Sequence, residues 1–121
     1  MASILVVDDE FGVAEVLEAI LEDDGHTVMC ALNGRQALDH IADGRPDLVL
    51  LDFMMPLMDG PTTLRHIQTQ PEMTGVPVVM MSSLEEASIR AECQGYVSFL
   101  RKPFRAFQVS DVVAAALKSV A

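Results

Sequence analysis

Short apolar runs alternate with amphipathic segments along the chain, and this alternation occurs five times. The apolar runs are SILVV at 3–7, TVMCA at 27–31, LVLL at 48–51, VPVVMM at 76–81 and YVSFL at 96–100. Such short, often β-branched runs are typical of strands that are buried on both faces, as in a parallel sheet covered by helices. The pattern therefore predicts an α/β fold with five parallel strands.

The segments between and after these runs have the periodicity of amphipathic helices. The predicted helices cover residues 10–24, 34–43, 61–69, 84–94 and 104–120. In the first, which ends before Gly25, one stripe consists of Val13, Ala14, Leu17, Ile20 and Leu21, and in the last one stripe consists of Val109, Val112, Val113, Ala116, Leu117 and Val120. We expect both stripes to face the sheet. Right-handed crossovers then favour a doubly wound sheet with helices on both faces.

Polar and charged side chains follow four of the five predicted strands. They are Asp8, Asp9 and Glu10 after the first strand, Asp52 after the third, Ser82 and Ser83 at the end of the fourth, and Arg101 and Lys102 after the fifth. Each group alone has a simpler interpretation, because acidic residues and serines are common at helix starts and a lysine is usually solvated. Doubly wound sheets, however, bind ligands at the carboxyl ends of their strands. The convergence on one rim predicts a functional site.

Three carboxylates at one rim, those of Asp8, Asp9 and Asp52, repel one another, which raises their pKa values or recruits a cation. An all-oxygen site with room for water suits Mg²⁺ or Mn²⁺, whereas zinc prefers His or Cys ligands. The three histidines, His26, His40 and His66, show no ligand spacing. With a metal bound, Asp52 can attack phosphorus as a nucleophile, while the cation and the Lys102 ammonium neutralise the phosphoryl charge. We therefore interpret Asp52 as a reagent.

Composition narrows the range of partners. The 121 residues carry a formal net charge of -10, with 18 acidic and 8 basic side chains, which opposes direct binding of nucleic acid and favours proteins or cations as partners. No apolar segment approaches the ~18 residues of a membrane helix, and the first residues lack the basic region of a leader peptide. Cys30 and Cys93 form no CxxC pair, so we expect buried free thiols. These features together predict a soluble, cytoplasmic single domain.

Four separated pieces of this sequence resemble a known family. ILVVDDE, PDLVLLDFMMPLMDG, VPVVMMSS and FLRKPF occur in the order and at the spacing of the receiver domain of two-component response regulators, with the chemotaxis regulators as single-domain examples. The resemblance implies one receiver domain over residues 1–121 with the flavodoxin-like strand order 2-1-3-4-5. It also implies a signalling module rather than an enzyme, whose only chemistry is Mg²⁺-dependent autophosphorylation and autodephosphorylation. The phosphoryl donor would be a sensor histidine kinase or a phosphotransfer protein.

The resemblance assigns expected roles to particular residues. Asp8 and Asp9 match the acidic metal pair, Asp52 the phosphoacceptor and a metal ligand, the backbone carbonyl of Met54 a further metal ligand, Ser82 the switch hydroxyl, Phe99 the aromatic switch position, Lys102 the family's lysine, and Pro103 the proline that follows a cis peptide. Ser82 retains the hydroxyl of the more usual threonine. Phe99 lacks the hydroxyl of the more usual tyrosine, so coupling there has to rest on ring packing.

Two further expectations concern output and lifetime. The face formed by residues 84–107 is expected to bind a downstream protein, because Ile89, Tyr96 and Phe107 lie among Arg90, Arg101 and Arg105. Met54 and Leu84, two residues beyond Asp52 and Ser82, match positions that flank the phosphoryl group. Neither side chain can orient a water by hydrogen bonding, so we expect slow autodephosphorylation.

Three alternatives carry specific sequence requirements. A phosphatase of the haloacid dehalogenase type needs a second aspartate two residues after the nucleophile, where this chain has Met54. A nucleotide-binding domain would need glycines after the first strand, where Asp8 and Asp9 would repel phosphates. A non-signalling scaffold of the same fold requires that the acidic pair, Asp52 and Lys102 are idle. Metal-dependent phosphorylation distinguishes these classes.

Overall fold

Five strands form a single parallel sheet in the computed structural model, which describes residues 2–119. The strands are β1 (Ser3–Val7), β2 (Thr27–Ala31), β3 (Leu48–Asp52), β4 (Val78–Ser82) and β5 (Ser98–Arg101). Their order is β2-β1-β3-β4-β5, and every neighbouring pair is parallel. All residues of β3 and β4 are buried, because helices cover both faces of these central strands. The predicted doubly wound order is confirmed.

The helices divide between the two faces of the sheet. They are α1 (Phe11–Asp23), α2 (Gly34–Asp43), α3 (Gly60–Gln68), α4 (Glu86–Arg90) and α5 (Ala106–Lys118), with a 3-10 turn at Pro71–Met73. Leu17 and Leu21 of α1 pack with Val113 of α5 in one core. Leu64 of α3 and Ile89 of α4 belong to the second core, on the opposite face. Among the described residues, no helix is long and apolar enough to span a bilayer.

The two predicted stripes largely match the observed burial. Ala14, Leu17 and Leu21 are buried in α1, and Val109, Val113 and Ala116 are buried in α5. Val13, Ile20, Val112 and Leu117 are half-buried at the margins of the same core. Val120, the last member of the predicted α5 stripe, lies outside the described residues. α1 and α5 therefore cover the sheet through the residues that the periodicity selects.

The prediction of a long fourth helix over 84–94 is wrong, because α4 contains only five residues. At its start, the Leu84 N–H donates to Ser82 Oγ at 3.1 Å, which holds residues 82–84 in a turn. At its end, the Glu92 N–H donates to Ile89 O, a tight three-residue step, and Cys93 turns inward to become buried. Competing local hydrogen bonds thus shorten the helix at both ends.

Both cysteines are free, but the prediction of buried thiols holds only for Cys93, because Cys30 is half-buried. Burial is the largest cause that raises the pKa of each thiol above its ordinary value. The last helix also begins later than predicted. Phe104 belongs to the loop that follows β5, and α5 starts at Ala106.

Candidate functional site

The carboxylates of Asp8, Asp9 and Asp52 meet at the carboxyl end of the sheet. β1 pairs with β3 through Val7 and Leu51, so the residues that follow them reach the same rim. One carboxylate oxygen from each aspartate lies within 4.8 Å of the other two. Asp8 is completely buried and Asp52 is 5% exposed, whereas Asp9 is exposed. The arrangement joins two buried carboxylates to a third that faces solvent.

Lys102 lies among these carboxylates. Its Nζ contacts Asp8 Oδ2 at 2.7 Å, Asp52 Oδ1 at 3.0 Å and Glu10 Oε1 at 3.7 Å. The Lys102 backbone N–H donates to Ser82 O at 2.8 Å, which fixes the end of β5 against the end of β4. The Lys102–Pro103 peptide is cis, as the resemblance implied. One ammonium therefore contacts carboxylates from β1, β3 and the start of α1.

Burial controls the protonation of the central pair. Removal from water is the largest cause that raises the pKa of Asp52 to about 6, and the charge of Asp8 adds to it, while Lys102 opposes both. The repulsion that the sequence predicts is therefore real but second to desolvation. For Lys102, burial alone lowers the pKa. Hydrogen bonds and charge from Asp8 and Asp52 outweigh that cost and raise the pKa above its ordinary value.

Asp52 opens into a cavity of about 590 Å³. Ser82 and Lys102 line the same cavity, and so does Met54, whose side chain is 64% exposed. Ser82 is buried, and its Oγ accepts a hydrogen bond from the Leu84 N–H. Among residues 2–119 no acceptor receives the Ser82 O–H, which can therefore donate into the cavity. An acceptor oxygen attached to Asp52 would lie in the same open cleft.

Phe99 lies apart from this cavity. It pairs with Met80 across β4 and β5 and packs, half-buried, against the core beneath α3 and α4. Phe99 is itself part of the 84–107 segment, and its role as the aromatic switch stays a prediction. Ile89 of that segment is completely buried, so its predicted place at a protein interface is wrong. Ile89 is the residue through which α4 packs onto the core.

Gly60 is a site-forming residue that the sequence interpretation missed. A Cβ at this position would overlap the Asp52 carbonyl oxygen and would lie 2.7 Å from Phe53 Cα. The Gly60 N–H donates to Phe53 O at 2.9 Å, which brings the start of α3 against the end of β3. The Asp59 side chain caps this helix by accepting from the Thr62 N–H. The Asp-Gly pair that follows the third strand was the available signal.

Glu10 is the second residue whose contribution was missed. It lies at the start of α1, its carboxylate reaches Lys102, and its N–H donates to Asp8 Oδ1 at 2.9 Å. Three carboxylates, those of Asp8, Glu10 and Asp52, therefore lie within 4 Å of the Lys102 ammonium, and Asp9 lies beside two of them. The aspartate cluster offers oxygen ligands, which suit a hard divalent cation such as Mg²⁺ or Mn²⁺. The donor set fits the predicted metal class.

Comparisons with known proteins agree with this geometry. Residues 4–114 match the family model described as the response regulator receiver domain. The chain is 35% identical over 112 residues to sporulation initiation phosphotransferase F of Bacillus subtilis, covering 91% of this chain and 89% of that protein. It is 39% identical over 103 residues to response regulator MprA of Mycolicibacterium vanbaalenii, covering 84% of this chain. The match spans only 44% of the length of MprA.

The fold is also that of a solved structure. The chain superposes on the chemotaxis protein CheY4 of Vibrio cholerae with a TM-score of 0.92 at 26% sequence identity. The superposition covers 96% of this chain and 98% of CheY4. A likeness over nearly the whole of both chains agrees with the five-stranded order described above.

Proposed function

Because the chain belongs to the response regulator receiver domain family, we propose that it accepts a phosphoryl group on Asp52 and alters its binding of other proteins in response. The family consists of signalling modules of two-component systems. The observation that carries the assignment to Asp52 is the single ammonium of Lys102, which lies 3.0 Å from Asp52 Oδ1 and 2.7 Å from Asp8 Oδ2. A buried carboxylate that faces a cavity and is held by a cation has the environment of a phosphoacceptor.

Asp8, Asp9 and Asp52 would hold the divalent cation, Mg²⁺ or Mn²⁺, with the backbone carbonyl of Met54 as a further ligand. When bound, the cation would neutralise negative charge on the transferred group. Glu10 lies outside the cluster of three and stays close to Lys102. With the three aspartates on the metal, the Glu10 carboxylate would still balance the positive charge of Lys102.

Asp52 supplies the nucleophile. One carboxylate oxygen attacks phosphorus and a P–O bond forms while the bond from phosphorus to the donor imidazole nitrogen breaks. That nitrogen keeps the electron pair and leaves as part of a neutral imidazole, whose other ring nitrogen carries the proton. A pKa of about 6 leaves most Asp52 ionised at neutral pH. Lys102 stays charged and remains within the cavity, where its ammonium offsets the charge of the new phosphoryl oxygens.

Ser82 and Phe99 would transmit the change. The Ser82 O–H can donate to a phosphoryl oxygen on Asp52, because both side chains line the same cavity. Movement of Ser82 at the end of β4 changes the space beside Phe99, whose ring can repack. The downstream protein would bind the exposed part of the 84–107 face, where Phe107 is 60% exposed and Arg101 and Arg105 are exposed.

Phosphorylation with a small donor tests this proposal. Incubation with acetyl phosphate and Mg²⁺ should add one acid-labile phosphoryl group to the wild-type chain, measured by intact-mass spectrometry. Asp52→Asn should abolish stable labelling. Asp39→Asn, which removes an exposed carboxylate of α2, is the matched control and should be labelled like the wild type. Labelling that persists unchanged in Asp52→Asn, or that needs no divalent cation, would contradict the proposal.

The metal ligands have a separate test. Asp9→Ala should weaken Mg²⁺ binding, measured by titration of metal-dependent amide shifts, because it removes one of the three clustered carboxylates. Since Asp9 is exposed, the variant should fold normally. Equal Mg²⁺ affinity in wild type and Asp9→Ala would remove this residue from the metal site.

A further inference from the structure

The side chain of Tyr96 carries a hydroxyl close to the face that Phe99 is expected to control. Tyr96 lies three residues before Phe99 and packs, half-buried, against the same core. Its Oη donates a hydrogen bond to Glu86 Oε2 at 3.2 Å. Burial and the neighbouring Glu86 raise the pKa of the Tyr96 phenol, so the proton of this bond is retained. The bond joins the segment before β5 to the first residue of α4.

α4 has few other attachments. It is five residues long, and its N-cap residue Glu85 makes no side-chain capping bond. Ile89 is its one buried residue. The ion pair between Arg90 and Glu86 lies within the helix, spans 3.4 Å and leaves the Arg90 side chain 70% exposed. An isolated helix of this length is unstable in water, so contacts to the rest of the molecule determine whether α4 is formed.

The same short stretch leads back to the phosphoacceptor. Ser82 Oγ accepts the Leu84 N–H at 3.1 Å, and Leu84 lies two residues before Glu86. A rotation of the Ser82 side chain towards Asp52 would therefore remove the acceptor that holds Leu84 in its turn. The start of α4 would then be held mainly by the Tyr96 hydroxyl and by Ile89.

We propose that the Tyr96–Glu86 hydrogen bond is a latch that holds α4 in the unmodified state, and that Tyr96 supplies the hydroxyl coupling that Phe99 cannot. This inference rests on the proposed function of Asp52. When Ser82 turns to a phosphoryl group, the 82–86 turn shifts, the latch opens, and α4 is released from the segment before β5. Tyr96 thus acts as a positioning residue for the output face, without contact to the phosphoryl group.

Hydrogen exchange in the unmodified protein tests the latch. The Ala91 and Cys93 amides donate to Ala87 O and Ile89 O, so their exchange reports opening of α4. Tyr96→Phe, which removes only the hydroxyl, should accelerate exchange of both amides roughly three- to tenfold, the range expected for the loss of one side-chain hydrogen bond. Glu86→Gln keeps an acceptor oxygen and should exchange like the wild type.

Arg90→Gln is the matched control, because it removes the ion pair and keeps both hydrogen-bonding partners of the latch, although Arg90 also lies beside the Tyr96 phenol. It should change exchange at Ala91 and Cys93 by less than about twofold. Unchanged exchange in Tyr96→Phe would overturn the latch. So would an acceleration in Arg90→Gln as large as that in Tyr96→Phe, since α4 would then depend on charge within the helix rather than on Tyr96.

A second measurement separates the latch from the proposed function. In wild type, Mg²⁺ with beryllofluoride, a phosphoryl mimic, should shift the amide resonances near Asp52, Ser82 and α4. In Tyr96→Phe without the mimic, the α4 resonances should already lie part of the way to the mimic-bound positions. If the Asp52 and Ser82 amides fail to respond in wild type, the proposed function fails. If they respond, but α4 in unmodified Tyr96→Phe stays at wild-type positions, the latch fails.

Discussion

The carboxylate rim and the α4–β5 segment are built in opposite ways. Asp52 ends a strand whose five residues are all buried, and Asp8 follows a strand that is buried from Ile4 onward. The α4–β5 segment instead consists of a five-residue helix and an irregular stretch from residue 91 to residue 97. Bond formation at phosphorus requires reacting groups in fixed positions, whereas a signal requires an element that has two accessible arrangements. Under the proposed function, the carboxylate rim would meet the first requirement and the α4–β5 segment the second.

Charge follows the same division. At the rim, Lys102 and Asp8 have side chains that are 15% and 0% exposed, and their 2.7 Å contact is shielded from solvent. In α4, Arg90 and Glu86 are 70% and 37% exposed at 3.4 Å. Loss of Lys102 would leave the buried carboxylate of Asp8 without its cation, whereas loss of Arg90 would leave Glu86 in contact with solvent. Substitutions in the two regions should therefore have very different costs.

The largest expected effect concerns the packing of the rim. Gly60→Ala places a Cβ against the Asp52 carbonyl oxygen and Phe53 Cα, so the start of α3 or the end of β3 has to move. We expect the free energy of unfolding to fall by about 3 kcal/mol, measured by urea denaturation, because the obstacles are backbone atoms. Phosphorylation of Asp52 should be impaired as well.

Gly44→Ala is the control for this prediction. A Cβ there meets nothing within 4 Å, and the backbone is extended with φ -179°. Its stability should change by less than about 0.5 kcal/mol. If Gly60→Ala were equally well tolerated, the rim would be adaptable rather than fixed, and the contrast between the two regions would disappear.

Sequence patterns predicted the carboxylate rim well. Continuous apolar runs identify strands that are buried on both faces, and polar residues directly after those strands had to reach one rim in a parallel sheet. Asp8, Asp52, Ser82 and Lys102 were found in this way, and the structure brings them around one cavity or one ammonium. Gly60 was not found, because its role is a close approach to the backbone at the end of β3, and the Asp-Gly pair that signals a helix start does not show that approach.

The same approach failed in the α4–β5 segment for a physical reason. Residues 84–94 have an amphipathic pattern, yet side-chain hydrogen bonds compete with the helix at one end, where Ser82 accepts the Leu84 N–H. Burial of Cys93 ends it at the other. Periodicity also could not distinguish Ile89 in the core from an interface residue, since both are apolar. Local patterns lose accuracy where long-range contacts and local hydrogen bonds are of similar strength.

The next largest effect tests how the two regions control the lifetime of the phosphoryl group. Met54 lines the cavity that contains Asp52, and both Met54 and Leu84 line an adjoining pocket of about 510 Å³ between the two regions. Polar replacements at both positions, Met54→Asn with Leu84→Glu, should orient an attacking water. We expect dephosphorylation to accelerate ten- to a hundredfold, or about 1.4 to 2.7 kcal/mol of barrier. Loss of phosphoprotein after removal of the donor, at constant Mg²⁺, measures the rate.

Leu57→Asn is the matched control for water access. Leu57 is 97% exposed in the same loop and lines neither space, so this change should leave the decay rate unaltered. A double variant that keeps its fold and decays at the wild-type rate or more slowly would show that Met54 and Leu84 do not limit the approach of water.

A smaller effect comes from the desolvation of Asp52 at the rim. Its folded-state pKa of about 6 lies above the ordinary value of 3.8, so the folded state binds the proton more tightly than the unfolded state. The stability associated with this group is thus present below pH 4 and falls as pH rises to about 6. A pKa difference of about two units corresponds to about 3 kcal/mol of stability lost between low and neutral pH. Asp52→Asn should recover only part of this stability at neutral pH, because the amide attracts Lys102 more weakly than the carboxylate does.

We therefore expect metal-free Asp52→Asn to be more stable than the wild type by about 1 to 2 kcal/mol at pH 7.5. The difference should shrink as the pH falls and vanish at about pH 3, where Asp52 is mostly protonated in both states. Added Mg²⁺ should reduce the difference at pH 7.5, because the cation stabilises the charged cluster of the wild type. Urea denaturation at the two pH values measures it. A variant that is less stable than the wild type at pH 7.5 would mean that attraction to Lys102 outweighs the cost of burying the Asp52 charge.

The smallest effect is expected for the exposed charge pair of α4. Arg90→Ala removes the contact to Glu86, in which solvent and salt already screen most of the attraction, and alanine has a slightly better helix propensity than arginine. The free energy of unfolding should change by less than about 0.5 kcal/mol, and the difference should disappear in high salt. The free energy of global unfolding reports on the sheet and its cores, so a helix that opens locally contributes little to it. A loss above about 1.5 kcal/mol would place α4 in the same cooperative unit as the rim. In that case the segment could not open on its own, and the division between a fixed chemical rim and a loosely attached output element would be wrong.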